Sequence, residues 1–107
     1  MCEAVLSWLE AELKAFPDRT PQDEFYGYFL RRAGEAIGTD RSSVVSALTI
    51  WIQSRSEPRT MLALKISPAY HLSELRPEIE QLLNDIMAGR AFLPYHSRYV
   101  LEALDNL

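Results

Sequence analysis

The sequence predicts an all-α protein, a compact array of about six short amphipathic helices stacked as hairpins or crossed as an orthogonal bundle. Three observations predict it. Apolar residues recur at three- and four-residue steps along most of the 107 residues. Helix stop signals at Pro17, Gly38, Pro68 and Gly89 divide these periodic stretches. Only one stretch, residues 60–66, alternates like a strand, and no convincing second strand exists to pair its backbone.

The first helix carries Val5, Leu6, Leu9, Leu13 and Phe16 on one face and ends at Pro17. Thr20 is the expected N-cap of the second, with Pro21 at its first position and Asp23 as the acid of an approximate capping box. That helix buries Phe25, Phe29, Ala33, Ala36 and Ile37, while Tyr26, Tyr28 and Leu30 widen the apolar arc beyond what one contact needs. Gly38 stops it, and Thr39 or Asp40 caps a third helix built on Val44, Val45, Leu48, Trp51 and Ile52.

Residues 58–67 read as a helix ended by Pro68, because Leu62, Ile66 and Tyr70 make a helical row. In the same stretch Leu62, Leu64 and Ile66 alternate with Ala63 and Lys65 as in a strand. "LSELRPEIEQLLNDIMAG" is the clearest helix, with Leu75, Ile79, Leu82, Leu83, Ile86 and Met87 inward. The last helix turns Tyr99, Val100, Ala103, Leu104 and Leu107 to the core. Short connections make a single helical domain over 1–107.

Hydrophobic residues at 48% and charged residues at 24% exclude a wholly disordered chain. Cys2 is the only cysteine, so an internal disulfide and cysteine-held metal clusters are excluded. Three glutamates near the N-terminus and the lack of a long apolar run argue against a secretory signal or a membrane span; a cytoplasmic protein is expected. The net charge of −4 is uneven. Residues 31–65 hold six basic and three acidic groups, a balance of +3, and the rest hold five and twelve, −7. A basic waist between acidic ends favours partners that complement that pattern rather than bulk polyanions.

For catalysis the chain offers little. His71 and His96 lack any zinc-ligand spacing, and neither a nucleophile elbow nor a phosphate-cradling glycine loop is present. No cofactor or metal site is expected. "YHSRY", residues 95–99, gathers hydrogen-bonding groups around His96 and Arg98 and either lines a pocket or packs the terminal helix. Tyr28, with Arg31 and Arg32 one turn further along, is the favoured contact patch, and Trp8 is a second aromatic at the edge of its arc.

"AIGTDRSSVVSAL", residues 36–48, resembles the turn and second helix of the bacterial helix-turn-helix, with Gly34 at the small-residue position, Gly38 at the turn and Val44 buried. That resemblance implies that Arg41, Ser42, Ser43 and Ser46 face a DNA groove. "PRTMLALKISPAYHLSELRPEIEQLLNDI", from residue 58, resembles one HEAT-type repeat, which implies stacked helical pairs presenting a groove to partners.

The leading expectation is a non-enzymatic bacterial-type protein, an adaptor, immunity-type or regulatory protein, that binds a protein partner through a helical surface. A DNA-binding regulator using residues 33–53 is the alternative, and an enzyme comes third. A homodimer through the wide arc of the second helix would account for its apolar surplus.

Overall fold

Helical periodicity is realised in five helices: α1 (Cys2–Ala15), α2 (Gln22–Gln53), α3 (Glu57–Ala69), α4 (Arg76–Met87) and α5 (Ser97–Asp105). The structure, a computed structural model, describes residues 2–15 and 22–107, and among these there is no strand. Single 3-10 turns, Ser73–Leu75 and Pro94–His96, lead into α4 and α5. Phe16, the Pro17 stop, the Thr20 cap and Pro21 lie outside the described residues, as do the side chains of Cys2 and Asp23.

Two helices expected on either side of Gly38 form one element, because no loop residue separates the end of one from the cap of the next. α2 is broken at a single residue, Asp40, whose φ of −154° and ψ of 83° are extended rather than helical. Its carboxylate accepts the Ser43 backbone N–H at 3.1 Å and the Ser43 hydroxyl at 2.6 Å. Asp40 is therefore the N-cap of the second half of α2, satisfying donors that the break would orphan. Thr39, the other cap candidate, donates its hydroxyl back to the Glu35 carbonyl instead.

Residues 60–66 are helix. Leu62, Ala63, Leu64 and Ile66 are all buried, together with Thr60 and Ser67. A helix covered around most of its circumference loses the polar face that reveals a helical period, which is why this stretch alternates like a strand. The two buried hydroxyls are satisfied locally, Thr60 by the Trp51 carbonyl at 3.2 Å and Ser67 by the Ala63 carbonyl at 2.6 Å. The helix also runs past Pro68 to Ala69, since a proline so near the end removes only one backbone hydrogen bond.

α2 is the hub. It packs against α1, α3 and α4, while α5 lies on α3 and α4. α3 and α4 make little contact with each other. Phe29, Leu48, Trp51 and Ile52 of α2 meet Leu9, Leu62, Ile66, Ile79, Leu82 and Val100 in the core. Leu72, a loop residue that periodicity did not single out, is fully buried there. The wide arc of α2 is spent internally, with Tyr26, Tyr28 and Leu30 half-buried against the core. Two residues expected inward are not: Met87, at the last turn of α4, is 73% exposed, and Tyr99 is 45% exposed. α5 turns Val100 and Ala103 to the core, so a residue one position earlier falls on its flank.

The charge asymmetry of the sequence is also consumed within the fold. Arg59 grips Glu10 of α1 with two hydrogen bonds, at 2.6 and 2.7 Å, and the buried Trp51 indole N–H donates to the same carboxylate at 2.9 Å. Arg41 makes a two-pronged pair with Glu74, and Arg55 bonds Asp85 of α4 at 2.6 Å. Arg32 pairs with Glu35, while Arg31 and Lys65 lie over the rings of Tyr28 and Tyr26. All six basic groups of the waist thus have a partner in the chain. Arg55 takes a left-handed φ of 55°, a conformation that costs about 1 kcal/mol in a non-glycine residue. From there its side chain also closes the end of α2 by bonding the Ile52 carbonyl at 2.6 Å.

Gly34 allows Tyr70 to reach α2, where its hydroxyl bonds the Leu30 carbonyl. A Cβ at residue 34 would stand 2.7 Å from the Tyr70 Cζ and closer still to its hydroxyl. Gly34→Ala is expected to destabilise the protein by about 1–3 kcal/mol in urea unfolding, and by less in a Tyr70→Phe background, which lacks the nearest atom. The arginine pairs add a pH dependence. Arg41 holds the Glu74 carboxyl at about 2, and Arg55 followed by Arg90 holds that of Asp85 at about 2, both below the ordinary carboxylate range. Depressed folded-state values mean that the unfolded chain takes up protons first, so this stabilisation is complete above the ordinary carboxylate range and lost as pH falls toward 2. Stability measured by denaturant midpoint should fall across that window, and Asp85→Asn should flatten the slope.

Candidate binding cleft

α3 and α5 run side by side in the same direction. Glu57, at the start of α3, places Oε1 3.8 Å from Nε2 of His96, just before α5. His71, just after α3, places Nδ1 3.3 Å from the carbonyl of Leu107, just after α5. Between the two helices opens a cleft of about 700 Å³, with Tyr26 of α2 in its wall. α3 contributes Glu57, Met61 and Lys65, four residues apart on one face. The α5 side contributes Tyr95, Tyr99 and Glu102 at helical spacing, alongside the inward stripe of Val100 and Ala103.

His96 is the buried member, only 4% exposed. Its Nδ1 sits 3.1 Å from the Leu93 backbone nitrogen and 3.2 Å from the Leu93 carbonyl oxygen, and Nε2 is the nitrogen toward Glu57. Tyr95 stacks on the imidazole with centroids 4.2 Å apart, Phe92 lies at 5.2 Å and Tyr99 at 6.3 Å. The outer walls are open: Tyr95 is 59% exposed, and Glu57 and Glu102 are exposed. Lys65 holds its ammonium 5.5 Å from the centre of the Tyr26 ring.

Of the "YHSRY" segment, Tyr95, His96 and Tyr99 line the cleft, and the exposed Arg98 is not in its wall. Glu57, Met61 and Lys65 were not singled out as site residues in the sequence. Their four-residue spacing was visible, but which helix faces α5 is decided by packing.

Tyr28, Arg31, Arg32 and Trp8 do come together, along the seam of α1 and α2. The Tyr28 hydroxyl donates to Glu12 of α1 at 2.6 Å, and that acceptor carboxylate pushes the phenol pKa up. Arg31 lies 5.8 Å over the Tyr28 ring and Arg32 5.4 Å over Trp8. Arg32 pairs with Glu35 at 3.1 Å, yet its Nε is buried with no hydrogen-bond partner. A shallow hollow of about 240 Å³ lies beside it, lined by Trp8, Arg32, Glu35, Ala36 and Thr39.

The helix-turn-helix residues divide into two pairs. Ser42 and Ser46 are exposed on the second half of α2. Ser43 is buried and bonded to Asp40, whose carboxyl it holds below the usual range. Arg41 is committed to Glu74 at 2.7 and 2.9 Å and to the His71 carbonyl at 3.0 Å.

Among the described residues, no three His, Cys, Asp or Glu side chains gather at a spacing that could hold a metal ion, and no helix is long and apolar enough to cross a membrane. Comparison with protein-family models, with curated proteins and with solved structures finds no significant match.

The exposure of the cleft walls makes a stability prediction. Tyr95→Ala and Tyr99→Ala should each change unfolding free energy by no more than about 0.5 kcal/mol, as surface substitutions do. His96→Ala, which empties a buried site and strands the Leu93 N–H, should cost about 1–3 kcal/mol. Urea denaturation of the three variants checks the contrast.

Proposed function

We propose that this chain is a non-enzymatic binding protein, of the adaptor, immunity-type or regulatory kind, and that a segment of a protein partner docks in the cleft between α3 and α5. One observation carries the reading. Among the described residues, large apolar side chains left in water concentrate in one segment: Met87, Leu93, Tyr95, Tyr99 and Leu101, with only Ile50 elsewhere. Tyr95 and Tyr99 of this set line the cleft, and exposed aromatic groups in a groove are what protein interfaces use as anchors. The cytoplasm accords with the single cysteine, which needs no oxidising compartment.

A DNA-reading role draws less support. Two of its four residues, Arg41 and Ser43, are engaged within the fold, and the basic waist has its partners inside the chain. Phosphate binding would have to break those pairs before gaining from counterion release. Dimerisation through the arc of α2 draws less support, since Tyr26, Tyr28 and Leu30 of that arc are half-buried against the core. The helices are best read as a bundle around α2 rather than stacked HEAT-like hairpins, since α3 and α4 pack on α2 and α5 rather than on each other. The hollow at Trp8 is a second docking candidate, favoured by the unpartnered Arg32 Nε.

Site-specific photo-crosslinking tests these readings. A benzophenone side chain installed at residue 99, 46 or 8 of the full chain should yield protein adducts in cells at 99 and not at 46. Adducts at 8 alone would move the interface to the hollow, whereas nucleic-acid adducts at 46 that salt suppresses would overturn the proposal.

A further inference from the structure

The chemistry of the cleft selects what can occupy it. Three cation–ring pairs, Arg31 with Tyr28, Arg32 with Trp8 and Lys65 with Tyr26, are already formed within the fold. Tyr70 is occupied by the Leu30 carbonyl. That leaves Tyr95, one face of which stacks on His96, and Tyr99 as the tyrosines with neither an arginine or lysine over the ring nor a hydrogen bond to the hydroxyl among the described residues, and both are exposed. Beside them stand two carboxylates, Glu57 and Glu102, that no arginine or lysine among the described residues neutralises. Glu57 has only the neutral-or-charged His96 at 3.8 Å, its side chain 65% exposed, and Glu102 has no side-chain partner among the described residues. Elsewhere Glu10, Glu74 and Asp85 each hold an arginine at 2.6–2.7 Å, which shows how a guanidinium is taken by a carboxylate of this chain when one is in reach.

We infer that the docked segment carries an arginine, whose guanidinium lies on the exposed ring of Tyr95 or Tyr99 and bonds the carboxylate of Glu57 or Glu102. This rests on the docking reading above and names the partner's chemistry. Guanidinium is preferred to ammonium because it is planar, stacks on aromatic faces and forks toward a carboxylate. Lys65, fixed over Tyr26, repels a second cation at that wall, so the cleft favours one arginine flanked by uncharged or acidic residues over a polybasic run. Met61 and Leu64 supply apolar contact for the neighbouring side chains.

The test uses the intact chain and three pools of acetylated, amidated hexapeptides with randomised uncharged flanks, centred on arginine, on citrulline or on leucine. Citrulline keeps the shape of arginine and removes its charge. Binding is read by amide chemical shifts at Tyr95 and Tyr99 and by pool affinity. The arginine pool should bind about ten-fold more tightly than the citrulline pool, the size of effect expected for one partly exposed charge-assisted contact. Glu57→Gln combined with Glu102→Gln should erase that difference while leaving the fold intact by circular dichroism.

Equal binding of all three pools, still sensitive to Tyr95→Ala, would overturn the arginine assignment and leave docking at the cleft standing. Shifts confined to the Trp8 hollow, or absent with every pool, would overturn both. A Tyr95-sensitive dimer in sedimentation would assign the cleft to a second copy of this chain and likewise overturn the inference.

Discussion

Everything in the fold depends on the bend at Asp40. A straight helix of 32 residues would be about 48 Å long at 1.5 Å per residue. The molecule measures 35 Å along its longest axis. α2 can serve as hub for α1, α3 and α4 only because one extended residue redirects it. The bend is made by the residue that also repairs it, since the Asp40 carboxylate takes up the Ser43 N–H and hydroxyl that the interruption exposes. The next residue, Arg41, then reaches Glu74 and the carbonyl of His71, tying the bend to the loop between α3 and α4.

The ion pairs follow from the same geometry. A basic middle and acidic ends, far apart in sequence, are brought together when α2 folds back between them. Arg59 reaches Glu10 across forty-nine positions of chain, and Arg55 reaches Asp85 across thirty. These pairs are partly buried, where screening by salt is weaker than at the open surface. Arg59 of α3 thereby fastens α1, and Arg55, just after α2, fastens α4.

Against that background the cleft between α3 and α5 stands apart. Its walls carry the exposed tyrosines Tyr95 and Tyr99 and the exposed carboxylates Glu57 and Glu102. α3 has six of its residues buried, and it opens to the cleft on the side of Glu57, Met61 and Lys65. α5 itself is short, with Val100 and Ala103 inward, and so presents Tyr99 and Glu102 sideways rather than to the core. The buried His96, held by Leu93 and stacked under Tyr95, gives this wall a fixed floor.

The all-helical class, the periodic faces of α1 and α4, and a cap at Thr39 or Asp40 were all legible from the order of residues, because each is set by neighbours within one or two turns. The strand-like pattern of residues 60–66 was not decisive, since burial on nearly every side erases the period that identifies a helix. Tyr28, Arg31 and Arg32 share a face of one helix by spacing, but that Trp8 and Glu12 of α1 meet them at a seam is decided by packing. The cleft needed residues from Tyr26 to Asn106, and only tertiary packing decides which faces of α2, α3 and α5 meet there. Local sequence determined where helices start, stop and hide their apolar sides; the bend at Asp40 and long-range pairing decided which polar side chains were used up and which were left facing outward.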